Sequence, residues 1–395
     1  MSVTSKSGQI VENADIDRDT PQPQIHVEER KLSLHDYLKT VVKINGSDLH
    51  LQSMSVPMIR VDGRARFLDC PPPDDDTMKQ YVDAILNSQA EPQEKKHILE
   101  HKGAVDVAYS LPGQARFRTN IFHSREKFAI VMRRIVTKIP NFDELNLPPE
   151  VESLADFHRG IIAVSGTTGS GKSTTLAAII GKINRSRSER IITVEDPIEF
   201  QHENAKALVS QVEVGTDSES YEYALRAMMR QDPDTILIGE IRDSFSLGTA
   251  LRAADTGHLV FTTVHATNAP MTIQRMVSLF DTDQKELQQT QLGLNLNAVI
   301  CQRLAKKREG KGRIPVVEIM MATPLVRKYI IEGEFDKLKG AVGNREAGSQ
   351  SFDQHLTELF QKQIIDVNEA TRLASNVDAL KLALRGISNS DTKLR

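Results

Sequence analysis

Gly166, four intervening residues, then Gly171, Lys172 and Ser173 make a spacing suited to holding phosphate. Glycines at both ends let a short loop turn tightly and bring backbone N–H groups close to an anion, because no Cβ intervenes. Thr168, Gly169 and Ser170 inside the loop are small, and Thr174 follows Ser173 into the next segment. The Lys172 ammonium would neutralise the β- and γ-phosphates of a nucleoside triphosphate, and the Ser173 hydroxyl would ligate Mg²⁺. The predicted phosphate cradle is thus Gly166, Thr168, Gly169, Ser170, Gly171, Lys172, Ser173 and Thr174.

Two carboxylates are placed to act on water at such a cradle. Glu195 ends the apolar run 190–194 and opens Glu195-Asp196-Pro197-Ile198-Glu199. Ligands in open α/β sheets bind at the carboxyl ends of strands, which suits Glu195, although an exposed acidic turn would read the same way. Glu240 ends the short run Thr235-Ile236-Leu237-Ile238-Gly239. An acid there can sit beside the metal and position or deprotonate the attacking water, worth roughly 10²–10⁴-fold in rate. The plainer alternative is a glutamate that caps the next helix. His258 and His265 bracket a further strand; each is either a satisfied core polar group or part of a water relay. In Arg116-Phe117-Arg118, alternation puts both arginines on one strand face, and Arg133 follows a second strand-like run. These arginines are either the solvated face of a sheet or a guanidinium fork that closes on phosphates.

The elements that must position these groups follow from periodicity. Residues 161–165 form an apolar, β-branched run that predicts a buried parallel strand, and the helix after the loop covers 174–183. From residue 158 strands and helices alternate, the signature of a parallel sheet covered on both faces. A helix is predicted over 216–231, with Thr216 and Glu219 as a capping box, and another over 246–256. Beyond residue 271 helices are predicted over 273–280, 287–304 and 324–331, then over 352–362, 367–375 and 377–384. Residues 32–140 read as a small α+β domain, with a helix at 34–42 and hairpins at Asp62-Gly63 and Pro112-Gly113. The predicted domains are a disordered tail 1–31, this domain at 32–140, a proline-punctuated linker 141–157, a nucleotide-binding domain 158–345 and a helical unit 346–395.

The 395 residues carry a net charge of −3, which argues against a dedicated nucleic-acid binder. Two cysteines, Cys70 and Cys301, supply neither a disulfide framework nor a four-ligand zinc site. No run reaches the length of a membrane span and the N-terminus lacks the apolar core of a secretory signal. The expectation is a soluble, intracellular protein.

Four nucleotide motifs in one order resemble the type IV pilus retraction ATPases (the PilT and PilU family) of the secretion-ATPase superfamily. They are the loop at 166–173, Glu195-Asp196-Pro197-Ile198-Glu199, Gly239-Glu240-Ile241-Arg242-Asp243 and the stretch from His258 to His265. Gly46-Ser47-Asp48-Leu49-His50-Leu51, Arg116-Phe117-Arg118 with Arg133, and Ser351-Phe352-Asp353-Gln354 extend the similarity over nearly all of 32–385. The resemblance implies an α/β fold: a RecA-like P-loop ATPase core, a smaller α+β PAS-like N-terminal domain and a helical C-terminal unit. It implies a cytoplasmic homo-hexamer at the pilus base that uses ATP and Mg²⁺ to turn an inner-membrane platform protein. Catalytic roles carry over to Lys172, Glu195, Glu240, His265, Arg118 and Arg133, and metal ligation to Ser173 and Glu240. The absence of a four-cysteine site points to the retraction branch. Where the PilT members of that branch read Ala-Ile-Arg-Asn-Leu-Ile-Arg-Glu, this chain has Pro324-Leu325-Val326-Arg327-Lys328-Tyr329-Ile330-Ile331-Glu332, in which only Arg327 and Glu332 keep their charges. That departure leaves open an accessory motor that works beside a paralogous pilus ATPase.

Overall fold

The structure is a computed structural model that describes residues 25–26, 32–61, 63–89, 91–135, 139–310 and 312–385. The chain divides into two compact units, residues 1–134 and 135–395. The disordered tail expected over 1–31 lies outside the described residues, except for the two-residue strand Ile25–His26, which pairs in parallel with Arg64–Asp69.

The first unit is built on a seven-stranded sheet. Its order is Ile25–His26, Arg64–Asp69, Met58–Val61, Asp48–Gln52, Lys127–Ile135, Ala115–Ser124 and Ala104–Leu111. Helix Leu34–Lys43 starts where expected because Ser33 and Asp36 form a reciprocal capping box, and it buries Leu34, Tyr37, Leu38 and Val41. Both hairpins are present, though Asp62 of the first turn lies outside the described residues. Helix Pro92–Lys102 escaped prediction because it is weakly amphipathic and buries Leu99 alone.

The second unit has a seven-stranded sheet ordered Leu208–Glu213, Arg190–Glu195, Thr235–Ile238, Leu259–Val264, Gly160–Ser165, Leu296–Lys306 and Arg313–Met321. All neighbours run parallel except the last pair. Strand Gly160–Ser165 is buried throughout because both its faces are covered. Ile161 and Ala163 join one core, Ile162 and Val164 the other.

Two predicted helices are corrected by the structure, and a further strand was unforeseen. The helix predicted over 287–304 is helix Thr282–Asn295 followed by strand Leu296–Lys306, which pairs antiparallel with the equally unforeseen Arg313–Met321. A strand buried on both faces has no period-2 signal, so its apolar run mimicked a helix. The helix predicted over 216–231 is confined to Tyr221–Met228, capped by Ser220 rather than Thr216; Thr216 instead donates to Glu213 Oε1. Finally, an edge strand, Leu208–Glu213, precedes it.

Residues 141–157, expected as a connection, form short helices whose Phe142, Val151, Leu154 and Ala155 are buried in the second unit's core. Helices Phe352–Gln361, Val367–Leu373 and Val377–Leu384 likewise contribute Phe352, Leu356, Leu359, Ala370 and Leu380 to the opposite core. Among the described residues no helix is long and apolar enough to cross a membrane.

Candidate nucleotide site

Strand Gly160–Ser165 runs into a loop that ends at helix Lys172–Ser186. Gly166, Gly169 and Gly171 all have positive φ, at 147°, 77° and 92°. A Cβ on Gly166 would stand 2.5 Å from both the Gln302 carbonyl and Ser170 Oγ, and one on Gly171 2.6 Å from Gln302 Nε2. Both φ and space therefore demand glycine at 166 and 171. Thr167, Thr168 and Gly169 are exposed at the loop's crest, while Ser170 Oγ is buried without a partner. Beyond them the first-turn N–H groups and positive end of a 15-residue helix face the same place, next to partly buried Ser173 and Thr174. The glycine cradle and its orphaned hydroxyl suit a phosphate.

Lys172 is buried, and its Nζ donates to the carbonyls of Gly166 (3.0 Å) and Thr167 (3.2 Å). Burial lowers its pKa, while the Glu199 and Glu240 carboxylates oppose that fall.

Gln302, which sequence reasoning missed, braces the loop from the neighbouring strand. It is 3% exposed, donates from Nε2 to the Ser170 carbonyl (2.9 Å) and accepts from Thr175 Oγ1 (2.7 Å). Its signal was lost when this strand read as a helix. Gln302→Leu strands two buried polar groups, each costing about 1–3 kcal/mol. Titration with a fluorescent ADP analogue should show nucleotide affinity about 10-fold weaker, on the same energy scale.

The strand ends bring the acids to this loop. Ile238 lies in register with Val194 and Thr262, and Ser165 with Val264. Ser173, Glu195, Gly239 and Thr263 then line one small pocket together with His202. Gly239 is pressed against the neighbouring strand: its N–H donates to the Val194 carbonyl (2.9 Å), and a Cβ would lie 3.0 Å from that oxygen. Burial pushes His202 down to about 4, so its ring is neutral near pH 7.

Glu195 Oε1 accepts from Thr193 Oγ1 (2.6 Å) and Gln211 Nε2 (3.2 Å). Burial nevertheless raises its pKa. The folded state therefore binds this proton more tightly than the unfolded chain, and its stability falls as pH rises through the raised pKa. Glu195→Gln should raise the unfolding midpoint at pH 7, and the gap should close below about pH 4, under the ordinary glutamate value. Calorimetry across that range checks both ends.

Glu240 is fixed through its backbone. Tyr221 Oη donates to the Glu240 carbonyl (2.7 Å) and accepts from its N–H (3.1 Å). The carboxylate lies 3.4 Å from His265 Nε2 and 3.6 Å from Arg242 Nε, and Arg242 Nη1 reaches Asp196 Oδ2 at 3.0 Å. Of the two bracketing histidines, His265 joins this cluster. His258 sits at the other end of the strand, its Nδ1 2.9 Å from the Ala253 carbonyl. Arg118 and Arg133 belong to the first unit. Arg118 makes a loose, exposed pair with Asp106 (3.7 Å), whereas Arg133 Nε donates to Asp48 Oδ1 (2.8 Å).

Residues 32–372 match the family described as Type II/IV secretion system protein. This chain belongs to that family. Its relatives include the type IV pilus retraction ATPase PilT of Pseudomonas aeruginosa, 38% identical over 87% of this chain and 98% of that one. The type IV pilus ATPase PilU of the same organism is 37% identical over 90% of this chain and 92% of its own. A crystal structure of the pilus retraction motor PilT with bound ADP superposes with a TM-score of 0.81 at 36% identity, covering 89% of this chain and 99% of that one. The family member described here accordingly has the expected fold, a RecA-like ATPase core with a smaller PAS-like N-terminal unit and C-terminal helices.

Proposed function

We propose that this chain is a motor ATPase that couples ATP hydrolysis to type IV pilus retraction. The observation that carries the reading is the meeting of Ser173, Glu195 and Gly239 around one pocket beside the phosphate loop, in a chain similar over 87% of its length to a retraction ATPase. Backbone amides of the loop and Lys172 hold the phosphates. Mg²⁺, held by Ser173 and Glu240, would neutralise charge on the β- and γ-phosphates. Glu240 positions the attacking water and takes its proton, with His265 orienting the carboxylate, while Glu195, its pKa raised by burial, provides a second carboxyl nearby. Arg118 and Arg133 add cationic charge that completes transition-state stabilisation. Hydrolysis becomes a stroke because ATP and its products differ in affinity for two conformations of the assembly. The working assembly is a homo-hexamer acting in the cytoplasm on an inner-membrane pilus platform protein.

A second reading, an accessory PilU-like nucleotide-gated partner of another pilus motor, rests on the departure of helix Pro324–Ile331 and Glu332 from the PilT sequence pattern. There Arg327 is turned inward, donating from Nε to the Ala322 carbonyl (3.0 Å) and from Nη1 to that of Gly293 (2.9 Å). The test is deletion of this gene alone, scored for retraction, alongside ATP turnover by the purified protein. Loss of retraction with turnover supports the motor; normal retraction in the deletion strain, with turnover kept, supports the accessory partner. A purified protein that binds ATP without turnover overturns the motor and supports the nucleotide-gated partner; one that does not bind ATP overturns both.

A further inference from the structure

Asp48 opens an inner strand of the first unit's sheet, with Arg60 opposite it on one neighbouring strand and Arg133 on the other. It is 4% exposed and accepts from Ser47 Oγ (2.7 Å) and Arg133 Nε (2.8 Å). The Arg133 side chain, in contrast, is 72% exposed, and among the described residues its hydrogen bonding is confined to Nε. Its neighbour Arg134 is engaged elsewhere, donating to Asn45 Oδ1. Burial works to raise the Asp48 pKa, but the bonds from Ser47 and Arg133 hold it below the ordinary range, so the carboxylate is charged near pH 7. Taking a carboxylate out of water to hold an otherwise solvated arginine is a poor way to stabilise a sheet. It is an effective way to aim a guanidinium. A planar fork gripped at Nε loses its rotational freedom and still offers its two Nη groups.

We propose that Asp48 is a positioning residue for Arg133, gripping Nε so that the Nη edge of the guanidinium is presented to a phosphate. The proposal rests on the reading above that Arg133 takes part in phosphoryl transfer, and it gives the Gly-Ser-Asp stretch at 46–48 a purpose. Arg118, paired loosely with an exposed aspartate, has no such brace.

The test is a cycle on the full chain: Asp48→Asn, Arg133→Ala and the double variant, each measured for kcat, KM for ATP and unfolding midpoint. Arg133→Ala should lower kcat by about 10³-fold. Asp48→Asn should lower kcat by about 10–10²-fold through misorientation, with KM and midpoint close to wild type. The double variant should be no slower than Arg133→Ala, because Asp48 acts only through Arg133. Should Asp48→Asn fail to fold, Asp48→Glu keeps the charge, shifts it by one methylene and carries the same comparison. Losses that multiply in the double variant, or Asp48 variants with wild-type kcat while Arg133→Ala is slow, overturn this inference alone. Wild-type turnover in Arg133→Ala overturns the role of Arg133 and this inference with it.

Discussion

Lys172→Ala is expected to lower ATP turnover by at least about 10³-fold, the scale on which fixed positive charge acts in phosphoryl transfer. The ammonium is already within the loop, held by the Gly166 and Thr167 carbonyls, so its placement needs no rearrangement of the chain. Those contacts matter little for folding. Burial disfavours the charge, so an alanine removes an awkward group from a partly dry setting and leaves the glycine turns intact. The unfolding midpoint should therefore move little while turnover under saturating ATP collapses. Lys172→Arg should fare scarcely better, since a planar fork cannot replace a compact ammonium in so tight a turn. Retained turnover in the alanine variant would remove the phosphate-binding role from this loop.

Glu240→Gln is expected to lower turnover by about 10²–10⁴-fold while nucleotide still binds, because the amide oxygen can stand in as a metal ligand but cannot take the proton. The substitution keeps the side chain's shape, and both Tyr221 bonds go to backbone atoms, so the residue stays where it is. What disappears is the proton acceptor and its attraction to His265 and Arg242. Single-turnover assays with ATP should show a bound, unhydrolysed nucleotide. A variant that fails to bind would instead mean that Glu240 organises the site, and a variant with normal turnover would pass the water to Glu195.

The parts of this site that could be read from the sequence are those whose signal is local. The loop from Gly166 to Ser173 is contiguous, and Glu195 and Glu240 each close an apolar run, so the sheet's geometry did the rest. The phosphate brace was hidden, because Gln302 meets Thr175 across 127 positions of chain. It also lies on a strand whose two-sided burial erased the alternation that would have announced it. Tyr221 looked like one more residue in a longer helix, and nothing nearby showed that its hydroxyl would be spent on the Glu240 peptide. Thr193 and Gln211 were unreadable for a related reason: they reach Glu195 from its own strand and from an edge strand that was not foreseen. Motifs contained in one segment were legible; contacts between segments, and the strands Leu208–Glu213 and Leu296–Lys306 that carry them, were not.

Strand Leu296–Lys306 has one more consequence. Gln302 grips the phosphate loop, while the next residue, Arg303, lays its guanidinium 3.8 Å from the Phe352 ring centroid in the first turn of a C-terminal helix. A few residues on, the Lys306 N–H donates to Glu369 and that of Arg308 to the Ile364 carbonyl. Successive side chains of one strand thus hold the chemical end and the terminal helices at the same level. The phosphate loop and the first of those helices are joined through the single peptide unit between Gln302 and Arg303.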